Sequence, residues 1–174
     1  MRTMKVTGIQ LREAIKRWAL RRDTASTHFA ESLWQFKEDE NRLSSPQELA
    51  DQYQAAERAI ATLQTAQARY NLAAAVDLRG ESLTLCDLVK RLGGAGRIEK
   101  MWRSATRAKG HDRYSGPERS RSKDAIQATR MVSIQDALGF ATQSARYAGD
   151  LRNAIALANT NQIEIEDLDP ALFE

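Results

Sequence analysis

His28 and Glu31 stand three positions apart. On a helix that spacing puts an imidazole and a carboxylate on one face, within reach of a single metal ion. A carboxylate-bridged centre in a helical bundle draws its ligands from several helices, with Glu-x-x-His pairs among them. The chain has two histidines, His28 and His111, and its second long amphipathic segment has none. No metal centre is therefore expected. Cys86 is the single cysteine, set between Leu85 and Asp87. A thiolate nucleophile needs a base and an orienting group, and the neighbouring sequence supplies neither. A structural thiol is expected. A lone cysteine forms no internal disulfide, which suits a reducing cytoplasm. Leu92-Gly93-Gly94-Ala95-Gly96-Arg97 is glycine-rich, but it lacks the GxxxxGK[ST] pattern and follows a helical segment, where a phosphate loop follows a strand. It reads as a bend. There is no Gly-x-Ser-x-Gly and no spaced Ser–His–Asp set. The expectation is a protein without catalytic activity, cofactor or small-molecule substrate.

The cations are more informative. Between Lys90 and Lys123 eleven Lys and Arg stand against three acids, a net charge of +8 in a chain whose total is +3. Arg97, Lys100, Arg103, Arg107, Lys109 and Arg113 accompany Trp102 and Tyr114. Cations bind phosphates and aromatic rings stack on bases, so these six are the candidate polyanion-binding residues. Trp102 shares an apolar helical face with Ile98 and Met101, which favours a core position for the ring. The stretch Asn159 to Glu174 carries five acids (Glu164, Glu166, Asp167, Asp169 and Glu174) and no base. A basic middle and an acidic end can therefore neutralise one another instead of binding a ligand.

The elements that position these residues are helical. Of 174 residues 42% are hydrophobic and 28% charged, with 3 Pro and 9 Gly, the balance of a globular, helix-rich chain. No run of 18 apolar residues is present, so no membrane-spanning helix is expected. No apolar stretch before a small-residue cleavage site opens the chain, so no secretory signal is expected. From Thr7 to Arg42 the stripe Leu11, Ile15, Trp18, Arg22, Ala25, Phe29, Leu33, Phe36 recurs at steps of three and four. A helix of ~35 residues would be ~50 Å long and must lie along another long element. Ser45-Pro46-Gln47-Glu48 then starts a second helix as a capping box with proline at its first position. Its stripe is Leu49, Tyr53, Ala56, Ile60, Leu63, Gln67, Tyr70, Ala74.

Two such helices joined at Leu43-Ser44-Ser45 run antiparallel. In that hairpin the numbers of facing residues have a constant sum. Phe36 with Tyr53, Leu33 with Ala56, Phe29 with Ile60 and Ile15 with Ala74 each give 89, as do Arg22 and Gln67. The polar residue of each seam thus falls in one layer, a device that fixes register. The expected register places Phe29 in the core.

Beyond Ala74, Val76 to Gly80 reads as a helix exit or a short extended piece with a glycine turn. Thr84 caps a short helix that ends or kinks at Gly93 to Gly96, and a second piece follows from Arg97 to Lys109. Gly110 to Lys123 is a polar loop. Ala125 to Val132 alternates weakly, as does Ile163 to Ile165, suggesting a pair of short strands. Ser133 caps a last helix that runs to about Asn159.

The order of these segments resembles the septicolysin-like family of bacterial proteins. The likeness rests on the long hairpin, Tyr70-Asn71-Leu72 at its exit, Gly80-Glu81-Ser82-Leu83-Thr84-Leu85 entering a helix, Arg113-Tyr114-Ser115, and the closing run Leu151 to Thr160. The resemblance implies a helical, oligomeric cytoplasmic protein and brings no catalytic residues with it.

The expected fold is therefore mainly α: a long antiparallel, coiled-coil-like hairpin over 7–75, shorter helices and a basic loop over 76–132, a helix over 133–160 and an acidic tail over 161–174, with a small two-stranded β element, all in one domain. The expected function is a self-assembling helical scaffold or adaptor, a cytoplasmic homo-oligomer without membrane attachment. The alternative is a nucleic-acid-binding protein that uses segment 90–123.

Overall fold

In the computed structural model, residues 3–34, 44–108 and 130–174 are described. They form two compact units, residues 1–86 with 154–174, and residues 87–153. The chain is mainly helical, as expected, with two small two-stranded sheets where one such element was expected.

The first unit is built on an antiparallel helix pair. Strand β1 (Thr3–Val6) leads into α1 (Gly8–Ser32). Thr7 starts α1 because its Oγ1 accepts from the Gln10 N–H at 3.2 Å, while the Gln10 side-chain oxygen accepts from the Thr7 N–H at 2.9 Å. Helix α2 (Pro46–Ala73) opens with the expected capping box. Ser45 Oγ accepts from the Glu48 N–H at 3.2 Å, and the Glu48 carboxylate accepts from the Ser45 N–H at 2.8 Å. That backbone donor holds the Glu48 carboxyl below its usual range.

The seam of α2 follows the heptad closely. Leu49, Ala56, Ile60, Leu63, Tyr70 and Ala74 are buried, with Ala59 and Ala66 added beside them. The seam of α1 does not. Leu11, Ala14 and Ala25 are buried, whereas Phe29 is 36% exposed and Leu33 55% exposed. Phe36 lies outside the described residues.

The register differs from the expected one. Arg22 meets Glu57, Nη1 to Oε1 at 3.3 Å, and not Gln67. Phe29 shares a groove with Ala50 and Tyr53, not a core layer with Ile60. The facing sum is thus near 79. Relative to the sequence-based register, α2 slides by ten residues, about 15 Å along the axis. The cause lies in the helix ends. A sum of 89 requires helix up to a tight turn at 43–45, but α1 ends at Ser32 and α2 begins at Pro46, and the numbers of those two ends sum to 78.

After α2 the chain forms a hairpin, β2 (Ala75–Leu78) with β3 (Glu81–Thr84). Its two-residue turn, Arg79-Gly80, takes positive φ at both positions, 53° and 85°, the geometry whose twist matches the strands. β1 pairs antiparallel with β4 (Ile163–Glu166), Thr3 opposite Glu166 and Val6 opposite Ile163. The expected partner of the 163–165 alternation was the segment 125–132. Residues 125–129 lie outside the described residues, and β4 is satisfied by β1.

Tyr70 is fully buried where these elements meet. Its hydroxyl lies 2.7 Å from the Ala158 carbonyl oxygen and 2.8 Å from that of Asn161, one proton serving two acceptors. Burial pushes the phenol pKa up, opposed by the Gly8 N–H that donates to it. Gly8 sits so close that a Cβ there would come within 2.4 Å of Asn159 Oδ1 and 2.8 Å of Tyr70 Cε1. A single 3-10 turn, Pro170–Phe173, packs against α1.

The second unit comprises most of α3 (Leu85–Arg107) and α4 (Ile134–Ala158). Contrary to the sequence reading, α3 does not break at its glycines. Gly93, Gly94 and Gly96 lie inside a continuous helix, because glycine keeps its N–H and leaves the hydrogen-bond ladder intact. Each such residue costs about 1 kcal/mol relative to alanine. Ser133 starts α4 as expected, its Oγ accepting from the Asp136 N–H at 3.0 Å. The buried positions of α4 in this unit are Ala137, Ala141, Ala148 and Leu151. On α3, Leu88 and Ala95 are buried and Trp102, seven further on, is half-buried.

Candidate functional site

The helical period of α3 sorts its residues onto two faces. The inward face carries Leu88, Ala95 and Trp102. Trp102 packs on Phe140 of α4, ring centroids 4.7 Å apart and tilted by 35°. Ile98 and Met101, expected beside Trp102 in the core, are both about half exposed, so the true apolar stripe is rotated from the expected one.

The outward face holds the candidate cations. Gly96, Glu99, Lys100, Arg103, Ser104 and Arg107 line one shallow groove of about 430 Å³. They form two adjoining rows, 96/99/103/107 and 96/100/104/107, each spaced by three and four as on a single helical face. Arg97 flanks it, its Nη1 3.5 Å from where a Cβ on Gly93 would stand. Arg103 Nε donates to Glu99 Oε1 at 2.8 Å. Among the described residues, Arg97, Lys100 and Arg107 have no carboxylate partner. Of the six candidates, four therefore share one exposed region of α3. Lys109 and Arg113, with Tyr114, lie outside the described residues.

Arg130 was not anticipated as a structural residue. Its guanidinium donates to the carbonyl oxygens of Ala105 and Ala108 at the end of α3, while its Nε donates to that of Val132. It occupies acceptors that every helix leaves bare at its C-terminus. Its signal in the sequence is faint: a cation just before the Ser133 cap.

The acidic stretch is engaged by the first unit's own groups. Glu164 pairs with Lys5 at 3.5 Å, an exposed contact across β1 and β4. Trp18 Nε1 donates to the Leu172 carbonyl oxygen at 2.9 Å, and Arg17 and Arg21 donate to those of Phe173 and Glu174. Arg21 also lies over the Trp18 ring, 4.6 Å from its centroid.

The remaining chemistry-bearing residues stay apart. His28 Nδ1 lies 3.3 Å from Glu31 Oε2 on the exposed side of α1. Among the described residues no group of three or more His, Cys, Asp or Glu is placed to hold a metal ion. Cys86 is half-buried with a free thiol. No described helix is long and apolar enough to cross a membrane.

A second surface stands out by its apolarity. Ala25, Ser26, Phe29, Leu49, Ala50, Tyr53 and Gln54 enclose a groove of about 270 Å³ between α1 and α2. Beyond Phe29 in the chain stand Leu33 and Trp34, the latter 82% exposed. No family model, curated protein or solved structure matches the chain.

Proposed function

We propose that the protein is a self-assembling helical scaffold or adaptor without catalytic activity, and that its copies join through the apolar groove of the α1–α2 pair. The observation that carries this reading is Trp34, a bulky ring 82% exposed close in sequence to a groove walled by Phe29, Leu49 and Tyr53. An exposed ring and an apolar hollow on the same subunit can complement one another between copies. A two-fold axis then satisfies both at once, each copy's Trp34 entering the other's groove. Aromatic anchors in pockets are the residues that dominate interfaces. The resemblance to septicolysin-like proteins points the same way, toward a helical oligomer. The lone Cys86 suits a reducing cytoplasm.

The test is solution mass by light scattering. The expected result is a mass of at least twice 19.5 kDa, falling to 19.5 kDa in Trp34→Ser. A wild-type monomer at working concentration overturns the proposal.

A further inference from the structure

The outward face of α3 has two halves. Toward the start it carries Gly93 and Gly96, and toward the end Lys100, Arg103, Ser104 and Arg107, with Arg97 between them. Interior glycine weakens a helix, and packing within the described chain does not require it here. A Cβ on Gly96 would meet nothing within 4 Å, and one on Gly93 only the far end of Arg97. The bare backbone therefore leaves room for a bulky anion to lie against the helix beside four cations. Lys100 and Arg107 point the same way two turns apart, about 10 Å along the axis. The one acid in the groove, Glu99, is engaged by Arg103.

The same face indicates which polyanion it suits. Single strands are held by rings on which bases stack, and the one ring of α3, Trp102, is turned onto Phe140. Bases in a groove are read by Asn and Gln as well as Arg, and α3 contains neither amide. The cations of this face are suited first to phosphates, the contacts that supply affinity without reading sequence. We infer that this face is a docking surface for double-helical nucleic acid, held by its phosphate backbone with no base sequence preferred.

The experiment uses the full chain and labelled duplexes of two unrelated sequences, with binding followed by fluorescence anisotropy between about 50 and 200 mM salt. Equal affinity for both duplexes is expected, falling with salt at a log–log slope of about −3, as three or four phosphate contacts require. Lys100→Ala with Arg107→Ala should weaken binding at least tenfold and reduce the slope by about 2. Gly96→Leu keeps every charge and favours the helix, so circular dichroism should be unchanged while duplex binding falls. The inference is overturned by any of four results: no duplex binding at low salt, unchanged binding in the double variant, tighter binding to single strands, or preference for vesicles of anionic lipid over either duplex.

Discussion

Tyr70 and Ala158 are joined by a hydrogen bond of 2.7 Å between residues 88 positions apart, the phenol of α2 donating to the last carbonyl of α4. Replacing Tyr70 with Phe keeps the ring and removes the donor. The carbonyls of Ala158 and Asn161 then lose that partner, and a stranded acceptor costs about 1–3 kcal/mol. Urea unfolding of Tyr70→Phe should show a loss in that range, and a loss below ~0.5 kcal/mol would show that water replaces the phenol.

The same residue sets an alkaline limit. Burial raises the phenol pKa in the folded protein above its ordinary value of 10.0. Above pH 10 the unfolded chain gives up this proton first, so the folded state binds more protons and stability falls as pH rises. Below that value the contribution is complete. Unfolding midpoints taken across pH 9 to 11 should fall more steeply in wild type than in Tyr70→Phe.

Gly8→Ala tests the tight approach of α1 to Asn159. Its Cβ would fall 2.4 Å from Asn159 Oδ1, so the neighbours must shift or the helix start must move. A loss of ~1–3 kcal/mol is expected, as for other overpacked sites. Combining it with Asn159→Ala should recover part of that loss in a double-mutant cycle, whereas strict additivity would mean that the two residues do not collide.

The slid register predicts an ordering of distances. Spin labels at residues 22 and 57 should lie closer than labels at residues 22 and 67, read by pulsed electron paramagnetic resonance. The reverse order would restore the heptad register. Phe29→Ala should now cost about 2 kcal/mol in the monomer, less than the ~3–5 kcal/mol of a fully buried ring, because the residue is 36% exposed.

Ser45→Ala removes the oxygen that accepts from the Glu48 N–H. A loss of about 1 kcal/mol is expected, measurable as a lower unfolding midpoint.

Helix existence was legible in the residues, because caps and periodicity are local: Ser45, Pro46 and Glu48 started α2 where they should, and Ser133 started α4. Register was not. The meeting of Arg22 and Gln67 in one layer depended on an unbroken first helix reaching residue 42, and the helix ends at Ser32. Glycine content misled at Gly93 to Gly96, since its cost is modest and neighbouring turns of helix outweigh it. The partner of β4 was out of reach because pairing with β1 spans nearly the whole chain, and nothing in either tetrapeptide specifies the other. The candidate cations were legible as a charge excess. Their common face was legible too, since all four described cations lie beyond Gly96 in the helical piece expected from Arg97 onward. Arg130, three residues before a cap, carried no periodic signal at all.

The first unit is discontinuous, residues 1–86 being completed by 154–174. A ribosome releases these parts in sequence. When β1 and the α1–α2 pair have emerged, the strand that pairs with β1 and the carbonyls that receive the Tyr70 phenol have yet to be made. All of 87–153 is synthesised in the interval, so the second unit can fold while the first is still waiting for its last strand. Until Ile163–Glu166 arrives, β1 offers an open edge and Tyr70 an unmet hydroxyl. The nascent chain is most vulnerable to wrong pairing in that interval, and a premature stop anywhere in 87–153 would leave both units compromised rather than one.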